Sequence, residues 1–301
     1  MIFSITVTFN PELDLLTDQL YALENQVDKI IIIDNNSKNI NDIKSVFERL
    51  SLEFKEKIEI IELTENYGLA KAQNIALNLV KKDNVKKVLM LDQDSIPAKD
   101  LVNILDYEMD TIIKSGVKVS AVGPIYYDGK TKELYPATKY VGPFIKRIKP
   151  SSHPVEVTFT IASGSLILID SLEEIGLMNE DFFIDYIDVE WCLRAKTKGF
   201  SCFIVPKAKM IHTIGDNRMN FFGRKISIHS PLRRYYLIRN SFIISRLNYI
   251  PFGYKFRELF FNFIRFFIFI VISNEKKQVL KFSLQGFFDG IKGRKGKKYF
   301  S

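Results

Sequence analysis

The chain has 301 residues, 47% apolar and 26% charged, which is enough for one large domain with a substantial core and excludes a disordered chain. Only two cysteines occur, Cys192 and Cys202, so a disulfide framework and a C-x-x-C metal motif are excluded, and a reducing compartment suits the chain. The net charge of +8 is unevenly spread, with 26 Lys/Arg against 32 Asp/Glu in residues 1–223 but 17 against 3 in residues 224–301, and a basic excess of that kind points to an anionic partner.

The opening "MIFSITVTFNPE" has no basic region followed by a long apolar run, so no signal peptide is expected. From there, β-rich runs are predicted near 2–9, 29–34, 57–63, 85–91 and 119–125. Amphipathic helical patterns lie between them near 13–25, 41–50, 70–80 and 100–114. Repeated βα units of this length predict an α/β fold with a mostly parallel sheet flanked by helices. Ligands then sit at the carboxyl ends of the strands. Four runs end there in polar or turn residues: Phe9-Asn10-Pro11, Asp34-Asn35-Asn36-Ser37, Glu65-Asn66-Tyr67-Gly68 and Asp92-Gln93-Asp94-Ser95. Residues 126–156, rich in Gly, Pro, Tyr and Lys, read as an irregular loop over the sheet edge. Strands are expected over 157–161 and 165–169, then a helix over 188–198 and a strand over 202–205. The composition shifts near residue 224.

The strand-end residues carry the chemistry. Asp34 can accept a hydrogen bond from a pyrimidine N–H, or it can simply cap a turn. Gly68 ahead of a helix with Lys71 in its first turn suits a phosphate, although the Walker spacing is absent, and an ordinary loop-to-helix junction reads the same way. Asp92 and Asp94 share one strand face, and such hard oxygen ligands suit Mg²⁺ or Mn²⁺ completed by water and a diphosphate. In "FFIDYIDVEWCLRAKTKGF", Asp188 begins a helix as an N-cap or as a general base, while Glu190 and Arg194 pair at i,i+4 in a structural role. Of the three histidines, His212 is either a metal ligand or a polar loop residue.

The segments "TVTFNPE", "IIIDNNS", "ENYGLAKAQNIAL", "MLDQDS", "ASGSLILI", "FFIDYIDVEWCLRAKTKGF", "IHTIGD" and "RRYYLIRNSF" follow one another over residues 6–242. Together they resemble glycosyltransferase family 2, the inverting nucleotide-sugar transferases of the GT-A fold, and within it the bacterial rhamnosyltransferases. The resemblance implies a catalytic domain over 1–223, with a nucleotide-binding half to about 125, an acceptor half beyond it, and a separate helical region over 224–301. It implies that Thr8, Phe9 and Asp34 hold the base, that Lys71 and Asn74 contact the nucleotide and its diphosphate, and that Asp92, with Gln93 beside it, reaches the ribose. Asp94 and His212 would bind Mn²⁺ or Mg²⁺. Asp188 would be the catalytic base, although Ile187 stands where the family's paired acid is usual. Gly164, Ser165 and Trp191 would lie on the acceptor side. The implied donor is dTDP-L-rhamnose, with UDP-galactofuranose or a UDP-hexose as alternatives. The implied acceptor is a lipid-linked or cell-surface polysaccharide. A protein that only binds nucleotide at a membrane is the alternative of a different class.

The carboxyl-terminal stretch "FRELFFNFIRFFIFIVI", residues 256–272, is too short and too charged for a bilayer span, which needs about 20 mostly apolar residues. At about 100° per residue its polar positions 257, 258, 262 and 265 fall within roughly 140° of one another, leaving a broad Phe/Ile face. That pattern predicts a helix lying in a membrane interface, or a bundle helix covering the sheet or a dimer surface. Lys276, Lys277 and "KGRKGKK" would meet anionic lipid at about 1 kcal/mol per basic residue. Nucleic acid is not expected, since no binding module accompanies the aromatics. The expected location is the cytoplasmic face of the bacterial membrane, with a homo-oligomer as a further possibility.

Overall fold

The computed structural model describes every residue except Asn84, 128–133, 150–151, 212–216, 222–223, 229 and 300–301, and it describes 217–221 and 224–228 as backbone only. The chain begins with β1 (Ile2–Thr8), α1 (Leu13–Leu23), β2 (Lys29–Asp34), α2 (Ile40–Glu48), the short α3 (Leu52–Glu56), β3 (Ile58–Glu62), α4 (Leu69–Val80) and β4 (Lys87–Asp92). Next come β5 (Ile96–Pro97), α5 (Leu101–Lys114), β6 (Val119–Tyr127), the hairpin β7 (Ala137–Val141) and β8 (Phe144–Ile148), and β9 (Val155–Val157). Then follow β10 (Ser165–Leu168), α6 (Ser171–Ile175), α7 (Ile187–Thr197) and β11 (Ser201–Ile211). The hairpin β12 (Asn217–Phe221) and β13 (Arg224–Ile228) leads to three helices, α8 (Pro231–Arg246), α9 (Phe252–Ile272) and α10 (Lys276–Lys292).

The main sheet runs β3-β2-β1-β4-β10-β6-β11-β5. Its first four strands are parallel, as the βα alternation requires. Helices cover both faces there, so a central strand must be apolar throughout. Strand β2 meets that demand with Ile30, Ile31, Ile32 and Ile33, all buried. Beyond β4 the sheet is mixed: β10 is inserted antiparallel between β4 and β6, and β6 and β11 pair in parallel. This insertion is not visible in the run of residues, because an antiparallel and a parallel buried strand of four residues look alike.

Two expectations are corrected. Residues 126–156 are not uniformly irregular, since β7 and β8 form a hairpin turning at Gly142, whose φ of 59° suits a tight turn. The glycine and proline that suggested a loop are the turn itself. The strand expected over 157–161 ends at Val157, where β9 pairs with β11. Residues 158–161 are then free to approach the site.

The carboxyl-terminal helices pack closely on one another and on the sheet domain. A methyl group on Gly286 would lie 2.6 Å from the Tyr235 carbonyl oxygen, and one on Gly290 would lie 2.6 Å from the Phe242 ring, so α10 touches α8 at backbone distance. Helix α9 is turned inside out. Glu258 and Asn262 are buried, whereas Phe252, Phe256, Phe260, Phe263, Phe267 and Val271 lie exposed in one stripe. Among the described residues, no helix is long and apolar enough to cross a membrane.

Candidate active site

The site forms where β1, β2 and β4 end together. Asp34 is buried at the end of β2, and its carboxylate accepts hydrogen bonds from the Thr8 hydroxyl (2.9 Å) and the Ser37 amide (2.8 Å). The turn-capping reading of Asp34 is seen directly, with Thr8 bonded to the same carboxylate. Phe9 beside it is exposed. Gln93 turns toward Phe9, accepting its amide hydrogen at 2.7 Å, so the residue between the two strand-end acids ties β4 to β1.

Lys71 sits on the first turn of α4 with its ammonium 4.5 Å from the centre of the Tyr67 ring. Asn74, expected at the nucleotide, is buried, and its side chain is engaged by the segment before α7. Its amide nitrogen donates to Met178 O and Glu180 Oε1, both at 2.9 Å, and its oxygen accepts the Met178 amide at 2.9 Å. Its work is to brace the loop that leads to α7. The reason lies in helix geometry: Asn74 shares its face of α4 with Ala70 and Leu77, four residues before and three after it, and both are buried against the protein.

Asp92 and Asp94 remain close enough to repel. Burial, aided by the Asp94 charge and opposed by Arg233, pushes the Asp92 carboxyl up to about 6. Asp94 is exposed. The turn that carries both acids is shaped by Gln19, a residue not anticipated from the sequence. Buried on α1, Gln19 donates to the carbonyl oxygens of Asp92 (2.7 Å) and Ser95 (2.6 Å) and accepts from the Thr6 hydroxyl at 2.8 Å. Its signal was available: a glutamine shares the core face of α1 with Leu16, Leu20 and Leu23.

Asp188 lies in the first turn of α7, two residues past the cap rather than at it as expected, because Tyr186 occupies the cap. Its two carboxylate oxygens accept the amide hydrogens of Val189 (2.8 Å) and Ala162 (3.2 Å). Burial pushes this carboxyl up to about 6 against those hydrogen bonds, with repulsion from Asp92 and Asp185 adding to the rise. The two acids thus share one field. Tyr126, a second residue not anticipated, lies in the same field and donates to Ser163 O at 3.0 Å. A carboxylate poised near 6 is ionised at neutral pH yet more basic than a free aspartate, which suits a general base.

The loop before α7 is strained. Phe183, Asp185 and Tyr186 have φ of 65°, 63° and 66°, positive values that cost on the order of 1–3 kcal/mol for each such non-glycine residue. The Phe183 carbonyl also accepts the Leu69 amide at 2.7 Å, which joins this loop to the start of α4.

The remaining acceptor-side expectations divide. Ser163 hydrogen-bonds the Ser95 hydroxyl (2.6 Å), and Gly164 donates to Met90 O (2.7 Å), so the 162–165 turn is fastened to the acid-bearing strand. The Ser165 hydroxyl donates to Ile161 O at 2.6 Å. Trp191 is buried and donates to Gly176 O at 2.9 Å, lining the floor of a small cavity beside Asp188. Glu190 and Arg194 pair as expected (2.8 and 3.0 Å), and Tyr249 joins them at 2.5 Å. His212 lies outside the described residues.

Among the described residues, no group of three metal-ligating side chains comes together. What the strand end offers is an exposed carboxylate beside a second one that repels it, all hard oxygen donors, and this fits a divalent cation that takes its other ligands from a diphosphate.

The strand ends thus gather polar turns after β1, β2 and β4, two acids and a half-buried aspartate in the first turn of α7. Residues 4–176 match the family model described as glycosyl transferase family 2. A dTDP-rhamnosyl transferase, RfbF of Shigella flexneri, is 32% identical over 299 residues, covering 98% of this chain and 97% of its own. The chain therefore belongs to glycosyl transferase family 2 and is a glycosyltransferase. Among solved structures, Staphylococcus aureus TarS 1–349 in complex with UDP-GlcNAc has a TM-score of 0.58 at 17% identity, covering 97% of this chain and 81% of that one. GalNAc-T7 with UDP, GalNAc and Mn²⁺ has a TM-score of 0.59 at 14% identity; this chain is covered to 97% but spans only 56% of GalNAc-T7.

Proposed function

We propose that the protein transfers L-rhamnose from dTDP-L-rhamnose, with inversion, to a hydroxyl of a lipid-linked or cell-surface polysaccharide. The observation that carries the donor is the near end-to-end similarity to a dTDP-rhamnosyl transferase. Asp188 takes the proton of the acceptor hydroxyl as that oxygen attacks the anomeric carbon. The bond from that carbon to the diphosphate oxygen breaks, and the nucleoside diphosphate leaves with the electron pair. One base and no enzymic nucleophile make this a single displacement, hence inversion. Thr8 and Asp34 orient the base of the nucleotide, and Lys71 offers its charge to the phosphates. Asp94, with His212 as a second ligand, would hold Mn²⁺ or Mg²⁺, which neutralises charge on the leaving diphosphate when bound.

The test is a donor panel of dTDP-L-rhamnose, UDP-galactofuranose and UDP-hexoses, each with and without Mn²⁺. Turnover is expected with dTDP-L-rhamnose, and a preference for a UDP-sugar would overturn the donor. Asp94→Ala is expected to cost at least about 100-fold in turnover and to abolish the effect of Mn²⁺ on dTDP affinity. Intact metal dependence in that variant would show that the cation is held elsewhere.

The inverted helix α9 supports attachment to an anionic membrane. Its exposed phenylalanines adjoin α10, where exposed Leu280, Leu284, Phe287, Phe288 and Ile291 alternate with exposed Lys276, Lys277, Lys281 and Lys292. Replacing Phe256, Phe263 and Phe267 with serine is expected to weaken co-sedimentation with anionic vesicles by roughly 100-fold or more, since burying each ring contributes about 1.5–3 kcal/mol. Loss of a dimer in sedimentation with vesicle binding unchanged would instead assign the face to a second copy of the chain.

A further inference from the structure

The segment "RRYYLIRN", residues 233–240, has no part in the chemistry proposed above, yet its side chains converge on the loop that precedes Asp188. Arg233, Tyr236 and Asn240 recur at the i, i+3, i+7 spacing of one face of α8. Arg233 places its guanidinium on the Asp185 carboxylate at 2.9 and 3.2 Å. The Tyr236 ring stacks on Phe183 at 4.9 Å with 13° between planes. Asn240, fully buried, donates from its amide nitrogen to the carbonyl oxygens of Phe182 (3.0 Å) and Ile184 (2.7 Å).

Arg239, also buried, supports this contact twice. Its guanidinium donates to the Phe182 carbonyl at 2.9 Å and to the Asn240 side-chain oxygen at 3.0 and 2.8 Å. A guanidinium has donors only, so the oxygen of Asn240 must face it and the amide nitrogen must face the loop. Positive φ at Phe183, Asp185 and Tyr186 interrupts regular pairing here, and the buried carbonyls of Phe182, which also takes the Ile184 amide at 2.8 Å, and of Ile184 need further donors. Residues 239 and 240 supply them. The loop in turn sets the first turn of α7, where the Asp188 carboxylate meets the amides of Ala162 and Val189.

We infer that Arg239 and Asn240 are positioning residues for the general base: Arg239 orients the Asn240 amide, and Asn240 holds the positive-φ loop that aims Asp188. The catalytic half of this inference rests on Asp188 being the base. It also assigns to the basic carboxyl-terminal region a positioning task in the reaction, separate from any membrane contact.

The test uses full-length Asn240→Ala and Arg239→Lys with dTDP bound. Amide hydrogen exchange across residues 182–190 is expected to quicken at least tenfold while dTDP affinity stays within threefold. Turnover is expected to fall 10- to 100-fold with the donor KM nearly constant. The acidic limb of the pH profile should move below its wild-type midpoint, as the carboxylate leaves its buried seat. If Asn240→Ala does not fold, Arg239→Lys, which keeps the charge and removes the fork, carries the same measurements. Unchanged exchange across 182–190 overturns the inference whatever reaction the protein performs, and so does quickened exchange with full turnover and an unmoved acidic limb. Absence of turnover by the wild type with every nucleotide sugar overturns the proposed reaction instead, and exchange still decides whether residues 239 and 240 hold the loop.

Discussion

Asp188→Asn is expected to slow transfer by orders of magnitude and, at neutral pH, to make the protein more stable. A positioned general base contributes roughly 10²- to 10⁴-fold to a rate. The amide that replaces it keeps the shape but cannot take a proton, so turnover should fall by about that factor while dTDP affinity is unchanged. The stability effect follows from the carboxyl being pushed up to about 6 from 3.8. Between those two values the folded protein holds a proton that the unfolded chain has released, so stability falls as pH rises through the window from about 4 to about 6. At full burial the shift corresponds to roughly 3 kcal/mol, at 1.36 kcal/mol for each pKa unit. Two effects reduce the gain: Asp188 is only partly shielded from water, and an asparagine nitrogen would face one of the two backbone amides that donate to the carboxylate. The expected net gain is about 1 kcal/mol, or a rise of about 2–4 °C in Tm at pH 7.5. The same ionisation predicts a wild-type turnover that climbs with pH through about 6. Full transfer by Asp188→Asn would move the base to another residue, and a lower Tm at pH 7.5 would mean that Asp188 is not held near neutrality.

Gly68→Ala should damage both stability and turnover. Gly68 has φ of 87° and ψ of 163°, a region that is essentially glycine's alone. An added methyl would lie 2.4 Å from Phe183 Cδ2 and 2.7 Å from the Phe183 carbonyl oxygen. That conformation costs on the order of 1–3 kcal/mol in another residue, and overpacking adds about 1–3 kcal/mol. A total of about 2–6 kcal/mol is a large part of the 5–15 kcal/mol typical of a folded domain. Relief requires the 183–186 loop to move, which takes Asp188 with it, so a survivor should also turn over at least tenfold more slowly. Gly116→Ala is the control: its φ is 89°, but nothing lies within 4 Å of the added methyl. It should lose stability only through its backbone and keep full turnover. Equal melting losses in the two variants would show that contact with Phe183 carries no weight.

The two substitutions act on opposite sides of one junction. The start of α4 contributes Gly68 and Leu69, the approach to α7 contributes Phe183 to Asp188, and the hydrogen bond from the Leu69 amide to the Phe183 carbonyl joins them. Helix α8 holds the far side of that loop, so three segments distant in sequence fix one carboxylate.

Much of this was legible in the residues themselves. The parallel half of the sheet follows from βα periodicity, because a strand buried on both faces must be apolar and a surface helix must be amphipathic. The acids at the strand ends are visible for the same reason, since a charge closing an apolar run has no place in a core. The polar stripe of α9 was readable from spacing alone, and in the structure Glu258 and Asn262 from that stripe do face inward. Local pattern dictates local form, and these features depend only on neighbours along the chain. It could not dictate what depends on distant ones. Whether Asn74 meets a nucleotide or the Met178 backbone, whether β10 enters the sheet antiparallel, and what the buried Arg239 and Asn240 hold are decided by segments tens to more than a hundred residues away. The raised carboxyls of Asp92 and Asp188 belong to the same class, because burial and facing charge exist only once the chain has folded.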